Sequence, residues 1–66
     1  MAVEDIINRI DRIDQLIRMK STGSPQELAD RLEISKRQVY RYLEMIRNRG
    51  KEIDYAPISR SYYYME

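Results

Sequence analysis

The sequence predicts a mainly α-helical domain closed by a C-terminal β-hairpin, in the order α-α-α-β-β, within 66 residues. Three observations predict it. Ile6, Ile10, Ile13 and Ile17 recur at intervals of four, three and four, which is one stripe of a helix. The signal Ser-x-x-Glu/Gln occurs twice, at Ser24-Pro-Gln-Glu27 and Ser35-Lys-Arg-Gln38, with starts eleven residues apart. Each is a capping box, so two helices begin in quick succession. After Gly50 the apolar period changes from helical to two-residue alternation, the mark of strands.

The first helix is expected over 3–20. Ile7, Leu16 and Met19 widen its apolar stripe, while Glu4 and Asp5 near its start and Arg18 and Lys20 near its end follow the helix dipole. Ser21-Thr22-Gly23 breaks it, and Gly23 suits a positive φ at a helix C-terminus. The second helix is expected over 25–32. Ser24 caps it, Pro25 takes the first helical position where its missing N–H costs nothing, and Leu28, Ala29 and Leu32 form its apolar face. Glu33-Ile34-Ser35 is the turn. The third helix, 36–49, buries Val39, Tyr42, Leu43 and Ile46 and stops at Gly50. Strands around Ile53-Asp54-Tyr55 and Tyr62-Tyr63-Tyr64-Met65 form a hairpin over 53–65. Tyr62 and Tyr64 are expected to pack inward with Ile53, the tyrosine hydroxyls reaching water, and Tyr63 to point out. An isolated hairpin is marginal in water, so this one must lie on the helices. The whole chain, 1–66, reads as one domain. Two capped helices separated by three residues cannot continue in line; they cross as a helix-turn-helix, and the second of the pair presents its outer face.

Composition narrows the function. The chain has no Cys and no His, which removes disulfides, Cys/His zinc sites and the commonest general base. No cofactor is implied. The opening MAVEDIINRID carries charge in every turn and is not a targeting segment. No uncharged apolar run approaches a membrane span. Asp11, Asp14 and Arg18 lie one turn apart on helix one, as surface helices commonly show, and imply no enzyme.

The net charge is only +1, but it is segregated. Residues 1–35 carry five basic and seven acidic side chains, 36–51 six basic and one acidic, and 52–66 one basic and three acidic, for balances of −2, +5 and −2. A basic middle segment suits a polyanion or a solvated face.

LADRLEISKRQVYRYLEMIRNRG followed by a Tyr-rich hairpin resembles the winged helix-turn-helix of bacterial regulators. The nearest types are the N-terminal DNA-binding modules of DeoR-type, biotin-repressor-type and WYL-type transcriptional regulators. The resemblance covers residues 5 to 65. Ala29 matches that pattern's small residue in the first helix of the unit, Ile34 the apolar residue after the turn, and Val39 the apolar residue inside the recognition helix. Glu33 stands where Gly is often found; a left-handed backbone there strains the chain by about 1 kcal/mol. Such relatives usually continue into an effector or catalytic domain, whereas this sequence ends at Glu66, so no small-molecule effector is inferable from it. The resemblance implies a cytoplasmic, bacterial-type regulator that binds double-stranded DNA.

The residues of helix three fit that reading. Arg37 and Arg41 lie one turn apart near the N-terminal end of its outer face, where bidentate pairing with guanine is possible; Gln38 has the matching geometry for adenine. Ser35 and Lys36 at the helix entrance suit phosphates, and Thr22 and Ser24 are weaker phosphate candidates. Tyr40 flanks the face, and Arg60 at the hairpin tip suits the minor groove or the backbone. Each has a plainer role: solubilising charge for Arg37 and Arg41, closure of the capping box for Gln38, shielding of the hairpin for Tyr40. Glu44 repels phosphates, so it accepts from cytosine N4, pairs with Arg41 or Arg47, or marks where contact ends, the last two being favoured. The isoleucines of helix one exceed what a small core obviously consumes. They suggest a homodimer through helix one, with recognition helices roughly 34 Å apart or a multiple of that; the other arrangement has all of them facing one core. A protein–protein module, an adaptor or subunit without DNA binding, is the alternative function.

Overall fold

The computed structural model describes residues 3–65. The order is α1 (Val3–Arg18), α2 (Pro25–Leu32), α3 (Lys36–Arg47), β1 (Ile53–Ala56) and β2 (Ser61–Tyr64), as expected for an α-α-α-β-β winged helix. Ile10, Ile13 and Ile17 of α1, Leu28, Ala29 and Leu32 of α2, and Val39, Tyr42, Leu43 and Ile46 of α3 meet in one core, closed by Ile53 and Tyr62 of the hairpin. Burying each large aliphatic side chain contributes about 1.5–3 kcal/mol.

Two helices end earlier than their sequences suggested. α1 stops at Arg18 because Lys20, not Gly23, takes the left-handed conformation, with φ 55°. The Lys20 N–H donates to the Ile17 carbonyl at 3.0 Å and the Ser21 N–H to the Leu16 carbonyl at 2.9 Å, the paired bonds of a Schellman ending. Gly23 does have positive φ, 75°, but it stands before the α2 cap rather than at the end of α1. α3 ends at Arg47. Its chain then tightens, with Arg49 and Gly50 N–H groups donating to Ile46 and Arg47 carbonyls at 3.1 and 2.9 Å, before Gly50 turns away at φ 93°. Glu33 at the end of α2 is left-handed, φ 56° and ψ 43°, as its place in the turn suggested.

The hairpin pairs Ile53 with Tyr64, Asp54 with Tyr63, Tyr55 with Tyr62 and Ala56 with Ser61. Tyr55 and Tyr62 therefore share the inner face, ring centroids 4.9 Å apart and tilted 59°, a favourable aromatic arrangement. The Met65 N–H donates to the Glu52 carbonyl at 2.9 Å. By the alternation of antiparallel pairs, residues 53, 55, 62 and 64 then aim their backbone groups away from the partner strand. Side chains occupy several of these groups. Arg47 donates to the Ile53 carbonyl at 3.3 Å, Asp54 accepts from the Tyr55 N–H at 2.8 Å, and Thr22 Oγ1 accepts from the Tyr62 N–H at 2.9 Å. Both outer edges are thereby partly blocked against further strand pairing.

The tyrosine hydroxyls do not simply reach water. Tyr64 donates to the Asp14 carboxylate, which also pairs with Arg18 at 3.0 Å, so the two α1 residues one turn apart anchor β2. Lys51 Nζ lies 5.6 Å over the Tyr64 ring. Of the surplus apolar residues on α1, Ile6 and Leu16 pack at the core margin, and Ile7 is 50% exposed.

Candidate nucleic-acid interface

The turn between α2 and α3 sets the interface. The Ile34 N–H donates to the Ala29 carbonyl at 3.0 Å, and Ile34 packs against the core. Ser35 then begins α3 with an extended backbone, φ −77° and ψ 157°. Its hydroxyl accepts from the Gln38 N–H, and Gln38 Oε1 accepts from the Ser35 N–H, each at 3.1 Å. The capping box is complete, and so is the one at Ser24 and Glu27.

With Val39, Leu43 and Ile46 buried, the opposite side of α3 carries Lys36, Arg37, Tyr40, Arg41 and Glu44, all exposed. Among the described residues, the side chains of Lys36, Arg37 and Arg41 engage no hydrogen bond or ion pair. Arg37, Tyr40, Arg41, Glu44 and Met45 line one shallow concavity. Glu44 pairs with Arg47 at 3.2 Å, one of the two partners its spacing offered. Arg47 is thus held between Glu44 and the β1 backbone.

The first turn of α3 breaks a rule that the other helices keep. α1 opens with Glu4 and Asp5, and α2 has Glu27 in its first turn, whereas α3 has no acid there. It has Lys36 and Arg37 instead. Cations at a helix N-terminus oppose the dipole and the free N–H groups, typically by a few tenths to about 1 kcal/mol each. An anion docked at that end reverses the balance, since it meets the cations and the N–H groups together.

The remaining sequence-derived candidates divide. Ser35 Oγ caps the helix by accepting, and its own proton stays available to donate to a phosphate. Gln38 is half-buried with its carbonyl oxygen used in the cap, so reading adenine with both amide atoms requires the cap to open. Tyr40 is 46% exposed and stands beside Tyr62. The Tyr62 hydroxyl is pushed up to about 12, by burial first and then by Tyr40 and Tyr55. Tyr40 therefore covers the hairpin and borders the outer face at once. Arg60 is turned toward α2, where its guanidinium lies 2.5 Å from Glu27 Oε1. Ser24 Oγ is the α2 cap, accepting from the Glu27 N–H at 3.2 Å.

Thr22 is not a phosphate contact. It is fully buried at 0% exposure, and no phosphate reaches it. Its N–H donates to Ser61 Oγ at 3.2 Å, its Oγ1 accepts from the Tyr62 N–H, and its hydroxyl lies 3.2 Å from that of Ser61. It fastens the α1–α2 loop to β2. Only a small polar residue in a loop marked it in the sequence, and nothing there signals a partner 39 or 40 residues on.

No group of three or more His, Cys, Asp or Glu among the described residues is placed to hold a metal ion. No helix among them is long and apolar enough to cross a membrane. A family model described as an HTH (helix-turn-helix) domain matches residues 8–61. No curated protein and no solved structure matches the chain.

Proposed function

The chain belongs to this helix-turn-helix domain family, whose members are DNA-binding modules, and from that premise we propose that it is a small transcriptional regulator binding double-stranded DNA sequence-specifically. In this reading α3 lies in the major groove. Arg37 and Arg41 read base edges. Lys36 and Ser35 hold phosphates at the helix entrance. Gln38 and Tyr40 border the contact, and the hairpin lies alongside as a wing carrying Arg60. The observation that carries the reading is the run of unpartnered cations, Lys36, Arg37 and Arg41, at a helix N-terminus that has no acid in its first turn. That arrangement costs stability in the free protein and is repaid by an anion.

A random-sequence duplex with a fluorescent label, titrated at about 50 and 200 mM salt, tests it. On a random-sequence duplex, where no base edge is read, Lys36, Arg37 and Arg41 all meet phosphates, giving a log–log slope near −2.7 and hence about fortyfold weaker binding at the higher salt. Arg37→Ala/Arg41→Ala removes most of this affinity. No salt-dependent binding by the parent protein refutes the reading.

The proposal includes a bacterial-type, cytoplasmic setting and a homodimer through α1, which rests on the 71% exposure of Val3 and the 50% exposure of Ile7 one turn apart. Light scattering of Ile7→Asp beside the parent protein tests the seam. An unchanged mass removes it. A protein–protein module is the second reading, favoured by Ile58, which stands fully exposed in the hairpin loop. Docking through such apolar residues depends little on salt, so the same titration separates the two readings.

A further inference from the structure

We propose that Glu27 is a built-in counter-anion for the wing, holding Arg60 until a DNA phosphate exchanges with it. The inference rests on the DNA-binding reading. Arg60 is the only basic residue in 52–66, so it is the hairpin's only cation for a polyanion. In the free protein that cation is engaged with Glu27 Oε1 at 2.5 Å across 33 residues of chain. The same oxygen accepts from the Ser24 N–H at 3.3 Å. Glu27 thus both completes the α2 capping box and meets the wing.

The seat is shaped for this carboxylate. A Cβ on Gly23 would stand 2.9 Å from Glu27 Cβ and 3.1 Å from Oε2, so a residue without a side chain at 23 gives Glu27 its position. Hydrogen bonds from Ser24, then the charge of Arg60, hold the Glu27 carboxyl below the usual carboxylate range, and it is an anion at neutral pH. Arg60 itself has a left-handed backbone, φ 54°, a conformation that persists in a non-glycine residue when its surroundings hold it.

Glu27 and Arg60 both remain substantially exposed, with side chains 45% and 66% accessible. Surface ion pairs of this kind are weak and open readily to a competing anion. Exchange of Glu27 for a phosphate swaps one ion pair for another and leaves Glu27 to gather a counterion, so Arg60 adds nothing to the salt slope of the parent protein. Without the Glu27 charge, the Arg60–phosphate contact adds its full share.

The test is Glu27→Gln, which keeps a capping side chain at this position, in parent and Arg60→Ala backgrounds, with anisotropy on the random duplex and a melt to show that each variant is folded. In the parent background Glu27→Gln is expected to bind about two- to fivefold tighter at low salt and to steepen the slope by about 0.9. In the Arg60→Ala background it changes neither. An unchanged or weaker affinity with an unchanged slope overturns the proposal. An equal gain in both backgrounds also overturns it, because Glu27 then acts only by long-range repulsion. If the parent protein binds no duplex at all, the DNA reading falls and this proposal with it. Binding by the parent with a silent Glu27→Gln refutes the exchange alone.

Discussion

Replacing Thr22 by Val keeps the shape of a fully buried side chain and deletes one oxygen. That oxygen accepts from the Tyr62 N–H at 2.9 Å, contacts Ser61 Oγ at 3.2 Å, and donates to the Gly23 carbonyl at 2.9 Å. Ser61 retains its own bond to the Tyr62 carbonyl at 2.9 Å, and the Thr22 N–H keeps Ser61 Oγ. The decisive loss is the acceptor for the Tyr62 N–H, whose bond to Thr22 is buried. Leaving one buried donor unpaired costs about 1–3 kcal/mol. A domain of this length has total stability of about 3–10 kcal/mol, so the change removes a large share. At roughly 2 cal/mol/K of unfolding entropy per residue, 2 kcal/mol lowers Tm by about 14 °C.

Thr22→Ser is the control. It keeps the hydroxyl and loses one methyl, for about 0.8 kcal/mol. Thermal melts of the three proteins by circular dichroism, with hydrogen exchange at the Tyr62 amide, read the result. Thr22→Val is expected to be the less stable variant and to lose protection at Tyr62 first. If Thr22→Ser is the more damaging of the two, or Tyr62 protection survives in Thr22→Val, packing rather than the hydroxyl holds the wing base. Below its Tm the Val variant keeps the DNA salt slope of the parent, because Thr22 lies inside and touches no phosphate.

Arg41→Ala is expected to relax sequence preference at one base pair by about 1–3 kcal/mol in a duplex-library competition. Lys36→Ala instead weakens all duplexes alike and lowers the salt slope by about 0.9. At alkaline pH, the Tyr62 hydroxyl, raised from 10.0 to about 12, contributes stability that is whole below pH 10 and lost as pH climbs through 12. Tyr62→Phe flattens that limb in pH-dependent denaturant titrations. On the acid side Glu27, lowered from 4.5, contributes stability that is whole above 4.5 and lost as pH falls through its depressed value; Glu27→Gln removes that dependence. Gly23→Ala meets both a positive φ and Glu27 Cβ at 2.9 Å, whereas Gly50→Ala meets a positive φ and open space. Chemical denaturation should show the larger loss for Gly23→Ala, and equal losses would contradict the tight seat assigned to Glu27.

What could be read in the sequence was local. Ser24 with Glu27 and Ser35 with Gln38 close their capping boxes within three residues, and both boxes form. The alternation in Ile53-Asp54-Tyr55 and Tyr62-Tyr63-Tyr64 fixed which residues share a face, and the register agrees with it. The end of α1 is not legible in the sequence because glycine is the usual left-handed residue, and here Lys20 adopts that conformation three residues ahead of Gly23. The contacts that seat the wing, Thr22 with Ser61 and Tyr62, Glu27 with Arg60, and Asp14 with Tyr64, join residues 33 to 50 apart. No periodicity or cap couples such pairs, so Thr22 looked like a phosphate ligand and Arg60 like a free cation.

Glu44 shows how the candidate interface acquires its boundary. It lies three residues after Arg41 and three before Arg47, so sequence spacing offers it either arginine. It pairs with Arg47. Acid-before-base is the better orientation along a helix, because each charge then also suits the dipole. The pair leaves Arg41 unengaged on the N-terminal side and holds Arg47 to β1 on the other. Arg18 and Arg60 are likewise neutralised by Asp14 and Glu27. A helix that was basic only for solubility would gain from pairing its first-turn cations too, yet Lys36 and Arg37 have neither an ion-pair partner nor an acid in their turn. The modest net charge of +1 therefore understates the field that a phosphate meets at the entrance to α3, where Lys36, Arg37 and Arg41 stand unpaired within two turns.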